Sequence, residues 1–303
     1  AVLGIGIQGP LSEHYRNMIS DTLVGKKPIV SLDLPSGLLP DNGQVDKSTV
    51  RATHTITVLA DKLGLHGYKG RLHTGDIHRL SLGFKDSELQ RMGTSLQSVD
   101  SNMLSERWKN RPADSHKGQF GRLVLIGSFD AYPGAISLAA QAAIQLGIGY
   151  TTVISHGSTI PSMLRAFPSI ILIDAQDHSS VSDALEQAET IAIGPGLGRS
   201  DLAIDLLEKS IISLKPCIID ADALHLLYPL RDKLHQRCVL TPHLGEAKAL
   251  LSPLGIDSMP CREDILEIIS QTYQAVIVLK GAMTLIGQNH KNTWVCCQGN
   301  PNM

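Results

Sequence analysis

Ile191-Ala192-Ile193-Gly194-Pro195-Gly196-Leu197-Gly198 is the stretch on which the fold turns. With Thr190 before it, the apolar, β-branched run has the composition of a buried strand. Three glycines follow at once, and Ser200 then stands where it caps the apolar-periodic stretch 201–213 as a helix. Strand, glycine turn and helix in that order open a βα unit. The same alternation recurs outward in both directions. Strands are expected at 29–32, 55–60, 123–126, 151–154, 170–173, 217–219, 239–240, 276–279 and 284–286, and helices at 12–23, 135–146, 221–227, 245–251 and 262–271. Short apolar strands separated by helix-length segments imply parallel sheets with crossover helices, so the chain is α/β throughout.

With 43% hydrophobic residues in 303, the chain has apolar material for two cores rather than one. The alternation lapses into a polar stretch between Lys85 and Glu106, which sets the expected boundary there: a first domain over 1–95 and a second over 96–303. A net charge of −2, with both signs spread along the chain, leaves no basic stripe for phosphates and excludes a nucleic-acid partner. No apolar run reaches the roughly 18 residues of a membrane span, and no basic flank precedes the first residues. A cytoplasmic protein without a membrane partner is expected, as a homo-oligomer. Cys217, Cys238, Cys261, Cys296 and Cys297 show no metal-ligand spacing, so they are expected as reduced, buried small hydrophobes and no zinc is expected. The chain opens without Met inside an apolar run and stops just after another; a fragment cut at both ends is expected.

Several loops carry chemistry-bearing residues. The glycines at 194, 196 and 198 let backbone approach a ligand ahead of a helix N-terminus, although an ordinary tight turn reads equally well. Lys280-Gly281-Ala282-Met283-Thr284 follows a strand and combines a cation, a flexible turn and a hydroxyl, which suits a nucleotide phosphate as well as a plain hairpin. It lacks the spacing of a Walker loop. Asp220 and Asp222 follow one strand and Glu246 another, at the strand ends where open α/β sheets bind ligands. Asp222 reads also as a helix cap, Glu246 as a favourable first-turn charge, and His243 as either a hydrogen-bonded structural histidine or a substrate contact.

Taken in order, His116-Lys117-Gly118-Gln119-Phe120-Gly121, Tyr132-Pro133-Gly134-Ala135, the 194–198 glycine turn, Asp220-Ala221-Asp222-Ala223-Leu224, Thr241-Pro242-His243-Leu244-Gly245-Glu246 and Lys280-Gly281-Ala282-Met283-Thr284 resemble the NAD(P)H-hydrate dehydratase family from about Trp108 onward. The resemblance implies a ribokinase-like α/β domain that uses ADP or ATP to return the S form of hydrated NADH or NADPH to the reduced dinucleotide. It implies hydrate contacts at Ala135, Gly196, Gly198 and His243, nucleotide contacts at Lys280, Gly281, Ala282, Met283 and Thr284, and Mg²⁺ with the phosphates. Residues 1–84 resemble the partner family, NAD(P)H-hydrate epimerase, through Gly4-Ile5-Gly6-Ile7-Gln8-Gly9-Pro10, Asp33-Leu34-Pro35-Ser36-Gly37-Leu38 and Arg51-Ala52-Thr53-His54-Thr55-Ile56-Thr57. That resemblance implies a partial Rossmann-like domain. Its hydrate contacts would be Gly4, Ile5, Gly6, Ile7, Gln8, Gly9, Pro10 and Asp33, with Ser36 near K⁺. Asp33 reads alternatively as a brace for the Pro35-Ser36-Gly37 turn.

The chain departs from the families in places. An Asn-Asn-Gly-Gly-Asp loop would precede Ala1, and a Gly-Thr-Gly-Asp motif, whose Asp serves the reacting hydroxyl, would follow Met303. No catalytic residue is therefore assigned, and weak nucleotide binding with little or no turnover of hydrate is expected of this chain by itself. Ser128 stands where a second glycine is usual, His225 where Asn is usual, and Asn302 where Gly is usual. Two rival readings remain: a small-molecule kinase of the same fold, and a catalytically silent nucleotide-binding regulator.

Overall fold

A computed structural model describes the chain except residues 1–2, 7–8, 23–26, 92–95, 100, 108–110, 130–131, 257, 259, 290 and 299–303. The chain divides into two units, Ala1–Ser95 with Cys297–Met303, and Leu96–Cys296.

In the first unit α1 (Glu13–Thr22) precedes β1 (Val30–Leu32) and β2 (His54–Val58), followed by α2 (Leu63–His66), α3 (Tyr68–Thr74), β3 (Asp76–Leu80) and α4 (Asp86–Arg91). The three strands form a parallel sheet in the order β1-β2-β3, with Ser31 opposite Thr55 and Thr55 opposite Ile77. The expected strand 55–60 ends early because Leu59 takes a left-handed φ of 65° and turns the chain. Nothing in the polar sequence Asp76-Ile77-His78-Arg79-Leu80 announced β3; its pairing with β2 makes it a strand. Leu34, Leu38 and Leu65 form one buried cluster, and Leu11, Ile19 and Val50 another.

The second unit begins with β4 (Leu96–Ser98) and α5 (Ser101–Arg107). It continues through β5 (Arg122–Ile126), α6 (Pro133–Gln145), β6 (Tyr150–Ser155), α7 (Ile160–Ala166), β7 (Ile171–Asp174), α8 (His178–Gln187) and β8 (Thr190–Ile193). After these come α9 (Asp201–Ile212), β9 (Cys217–Ile219), β10 (Cys238–Leu240), α10 (Leu244–Leu251), α11 (Arg262–Tyr273), β11 (Val276–Leu279), β12 (Thr284–Gly287) and β13 (Thr293–Cys296). The polar stretch expected to be irregular thus carries α4, β4 and α5. β4 is a strand because it pairs with β13, Leu96 opposite Thr293. The expected helix 221–227 is instead two 3₁₀ helices, Ala221–Leu226 and Tyr228–Lys233. Pro229 has no N–H to close an α-helical turn there.

Among the described residues ten strands form one sheet in the order β4-β13-β12-β11-β10-β9-β8-β5-β6-β7. From β5 the chain moves outward through β6 and β7, then returns to the other side of β5 with β8. The order reverses between β5 and β8, and a crevice opens at the carboxyl ends of strands at such a point. Alternate residues of the central strands bury one face: Ile126, Ile193, Ile219, Leu240 and Leu279 are each fully covered. Each such side chain contributes about 1.5–3 kcal/mol relative to exposure. The opposite face of β5 and β6 packs under α6 and α7 through Leu125, Ile136, Ala140, Val153 and Met163. Of the cysteines expected to be buried, Cys217 and Cys238 are, whereas Cys261 is exposed and caps α11 by accepting from Asp264 N at 3.4 Å. Among the described residues no helix is long and apolar enough to cross a membrane.

Candidate active site

The glycine turn at 194–198 leaves β8 at the switch point. Gly194 has φ 133°, a region closed to side chains, and a Cβ on it would overlap the carbonyl oxygen of Asp220. Glycine there allows β8's turn to lie directly against the loop after β9. Leu197 N donates to Gly194 O at 3.0 Å, and Gly198 N donates to Asp222 Oδ2 at 3.0 Å. The Asp222 carboxylate therefore ties the glycine turn rather than capping a helix. Ser200 caps α9 as its position implied, accepting from Ala203 N at 3.3 Å.

The loop after β5 meets the same turn from the other side. Ser128 N donates to Pro195 O and Phe129 N to Gly196 O, both at 2.9 Å. Ser128 is buried and left-handed, φ 57°, at the position where the family resemblance led to a glycine. Its hydroxyl explains how a side chain is kept there: Oγ donates to Tyr132 O at 2.8 Å and accepts from Ile136 N at 3.1 Å. These bonds bind the start of α6, and so Ala135, to the glycine turn.

On the far side the loops after β9, β10 and β11 converge. Lys280 N donates to Pro242 O at 2.8 Å, while Lys280 Nζ lies 2.7 Å from Asp220 Oδ1 and 3.8 Å from Glu246 Oε2. His243 is the N-cap of α10: Nδ1 accepts from Gly245 N at 2.9 Å and Glu246 N at 3.3 Å, and Glu246 Oε2 accepts from His243 N at 2.7 Å. This is a capping box with histidine as the cap. The ring is hydrogen-bonded but not buried, since 59% of the side chain is exposed and Nε2 stands 3.5 Å from Glu246 Oε1. Glu246 is buried, and its carboxylate is met by the His243 backbone N–H and by the Lys280 ammonium. Gly281 and Ala282 are exposed at the tip of the turn, Met283 is buried, and Thr284 Oγ1 donates to Gly281 O at 3.2 Å. Ala135, Gly196, Gly198, His243 and Lys280 thus lie along one chain of contacts at the strand ends, joined through Ser128, Asp220, Asp222 and Glu246.

In the first unit Ile7 and Gln8 fall outside the described residues. A Cβ added to Gly4, Gly6 or Gly9 would meet nothing within 4 Å, and Ile5 and Pro10 are exposed. Ser36 is buried and its Oγ exchanges hydrogen bonds with Leu3, accepting from N at 3.1 Å. Asp33 does not brace the turn that follows it. Its Oδ1 accepts from Lys62 Nζ at 2.5 Å and from Val58 N at 3.3 Å, with φ 66° aiming it toward β2. Lys62 also donates to Thr57 Oγ1 and Val58 O. Sequence reasoning passed over Lys62, whose signal lies in a polar strand end far along the chain from its partner. Arg262, too, went unnoticed; a cation in the first turn of a helix was the available clue. Arg16 holds the Asp46 carboxyl down to about 2, through a 2.7 Å ion pair, and Asp46 also accepts from Leu11 N at the end of the glycine loop.

The NAD(P)H-hydrate dehydratase family profile matches residues 123–303, the span that holds every loop of the second unit's cleft. The chain belongs to the NAD(P)H-hydrate dehydratase family. Residues 1–64 match a second profile, YjeF-related protein N-terminus. The Escherichia coli bifunctional NAD(P)H-hydrate repair enzyme Nnr is 36% identical across 100% of the chain, which covers 58% of that relative. The chain spans about three fifths of the length of the curated relatives it matches. Among solved structures, a ribokinase-like superfamily protein from Enterococcus faecalis is similar with TM-score 0.62 and 28% identity, over 70% of this chain and 75% of that one. The ADP/ATP-dependent NAD(P)H-hydrate dehydratase from Bacillus subtilis, co-crystallized with ATP/Mg²⁺, has TM-score 0.53 and 26% identity, over 66% and 72%. As a dehydratase-family chain it has the fold the sequence implied, a ribokinase-like α/β unit after a smaller α/β unit.

Proposed function

We propose that this chain works in the repair of hydrated NADH and NADPH, as a lyase in its second unit and an isomerase in its first. The second unit dehydrates the S hydrate at the expense of ADP or ATP, giving AMP or ADP and phosphate. The first interconverts the R and S forms. The observation that carries this reading is the convergence of the 194–198 turn, Asp220, the His243–Glu246 cap and Lys280 at the carboxyl ends of β8 to β11.

The chemistry explains why a nucleotide is needed. Hydroxide is a poor leaving group, and phosphate is a good one. Transfer of the terminal phosphoryl group breaks the nucleotide's P–O bond and joins phosphorus to the C6 hydroxyl oxygen, whose proton passes to a carboxylate base. Loss of the C5 proton and of phosphate from C6 then restores the ring double bond. Lys280 supplies positive charge to the phosphates, the exposed turn at Gly281 and Ala282 supplies amides, and Met283 and Thr284 hold that turn's shape. Ala135, Gly196, Gly198 and His243 line the hydrate's side of the cleft. Asp220 and Glu246 offer hard carboxylate oxygens beside Lys280, a donor set that fits Mg²⁺ held jointly by protein and phosphate. When bound, Mg²⁺ neutralises phosphate charge. No described residue is assigned as the base.

In the first unit the open loop of Gly4, Ile5, Gly6, Ile7, Gln8, Gly9 and Pro10 and the Asp33 carboxylate would take the hydrate, with K⁺ near Ser36. A cytoplasmic setting and a homo-oligomer complete the proposal. The deciding measurement supplies hydrated NADH, Mg²⁺ and either nucleotide, and follows nucleotide binding, phosphate release and the absorbance of reduced nicotinamide. Binding that depends on Lys280, with phosphate and reduced dinucleotide formed in equal amounts where turnover occurs, is the expected result. A stable phosphorylated product would establish the rival small-molecule kinase instead.

A further inference from the structure

Arg262 has no part in the scheme above, yet its guanidinium lies against the nucleotide turn. Nη2 donates to the carbonyls of Leu279 at 2.9 Å, Lys280 at 3.3 Å and Met283 at 2.9 Å. Those carbonyls belong to the last residue of β11, the cation after it and the residue before β12, so one nitrogen pins both ends of the turn. Gly281 presses on the same group: a Cβ there would stand 2.7 Å from Nη1, 3.0 Å from Nη2 and 3.1 Å from Cζ.

The placement is costly, which separates it from an ordinary surface arginine. Arg262 opens α11, where the helix N-terminus disfavours a cation and favours the Glu263 and Asp264 that follow. Desolvation lowers its pKa from the usual arginine value. Nε is buried without a hydrogen-bond partner, and among the described residues no carboxylate forms an ion pair with the guanidinium. Its hydrogen-bond partners are neutral carbonyls, and the carboxylate that acts on its charge, that of the neighbouring Glu263, does so at longer range than an ion pair.

We propose that Arg262 is the positioning residue of the nucleotide turn. It fixes the carbonyls of residues 279, 280 and 283 so that 280–284 holds one shape before a polyphosphate arrives, and it adds a second positive charge at that site. A turn ordered beforehand loses less freedom on binding, and an unpaired cation attracts an anion more strongly than a paired one. This inference rests on the assignment of 280–284 to the nucleotide.

The test compares the unaltered chain with Arg262→Met, which keeps the stem and loses donors and charge, and with Arg262→Lys. Calorimetry with MgADP and with MgATP gives the Kd; hydrogen exchange on the nucleotide-free protein gives the order of the turn. Arg262→Met is expected to raise Kd at least ~10-fold, the size of one lost charge-assisted contact set, and to speed exchange at 280–284 while 265–273 stays protected. Arg262→Lys recovers part of the binding, because an ammonium lacks the planar fork that spans several carbonyls. Gly281→Ala displaces the guanidinium from the opposite side and serves if Arg262→Met does not fold. Unchanged Kd in Arg262→Met overturns the inference, as does exchange that speeds evenly across the whole second unit. If the unaltered chain binds neither nucleotide, the nucleotide assignment falls and this inference with it, while exchange at 280–284 still separates that failure from a failure of the clamp.

Discussion

Replacing Gly194 by alanine tests whether the cleft is assembled as described. The substitution adds one carbon at a residue whose φ of 133° is open to glycine alone, a strain of order 1–3 kcal/mol. The new Cβ would overlap Asp220 O and stand 3.1 Å from Ala223 Cβ, so the loop after β9 must withdraw. Withdrawal stretches the 3.0 Å bond from Asp220 N to Ile193 O, worth about 1 kcal/mol. Together these give a loss of about 2–4 kcal/mol in the second unit. Gly134→Ala is the matched control. That glycine is exposed in the first turn of α6, with nothing within 4 Å of an added Cβ, so alanine there gains about 0.5–1 kcal/mol. Trp294 lies in β13 of the second unit, so its fluorescence during urea unfolding, read in a Trp108→Phe background, follows that unit. The Asp220 shift also moves the partner of Lys280, so Gly194→Ala is expected to weaken MgADP and MgATP binding. Equal urea midpoints for Gly194→Ala and the unaltered chain would refute the close approach of the two loops.

Lys280→Met removes the cation between Asp220 and Glu246 and is expected to weaken binding of MgADP and MgATP by roughly tenfold or more, measured by calorimetry. Ile193→Ala opens a cavity in the fully buried face of the sheet and is expected to cost about 2–5 kcal/mol in the fluorescence-followed urea transition. In the first unit the Asp46 carboxyl, held at about 2 by Arg16, stabilises the fold above the ordinary carboxylate range and loses that contribution as pH falls from near 4 toward 2. Asp46→Asn should therefore be less stable at neutral pH and show a shallower loss on acidification, measured by circular dichroism. His66 is raised to about 9 by the Asp61 carboxylate 3.4 Å from Nε2, so its contribution is complete below about 6.5 and vanishes as pH rises through 9. The stability gap between His66→Gln and the unaltered chain should close over that interval.

Much of the second unit was legible because its strands are short apolar runs bounded by glycine, proline or charge. β8 with its glycine turn, β9, β11 and the Ser200 cap are set by local composition. The 3₁₀ geometry of Ala221–Leu226 was less so, since it depends on Pro229 and on the loop's fit against Gly194. β3 and β4 have polar sequences and exist only as partners of β2 and β13, and no window of their own residues contains that information.

The candidate site divides along the same line. Sequence alone determined the α/β class, the positions of the loops that follow strands, and which of them carry glycines, carboxylates and Lys280. It left Asp222, His243 and Asp33 each with two readings, and tertiary structure assigned their contacts: Asp222 to the Gly198 amide, His243 to the cap of α10, Asp33 to Lys62. It also brought in Ser128 as the link between glycine turn and α6, and Arg262 as the clamp on 280–284. The physical reason is range. Strand and turn formation depend on neighbours a few residues away, whereas the partner of Asp220 lies 60 residues along the chain and meets it only once the sheet has ordered β9 to β11 side by side.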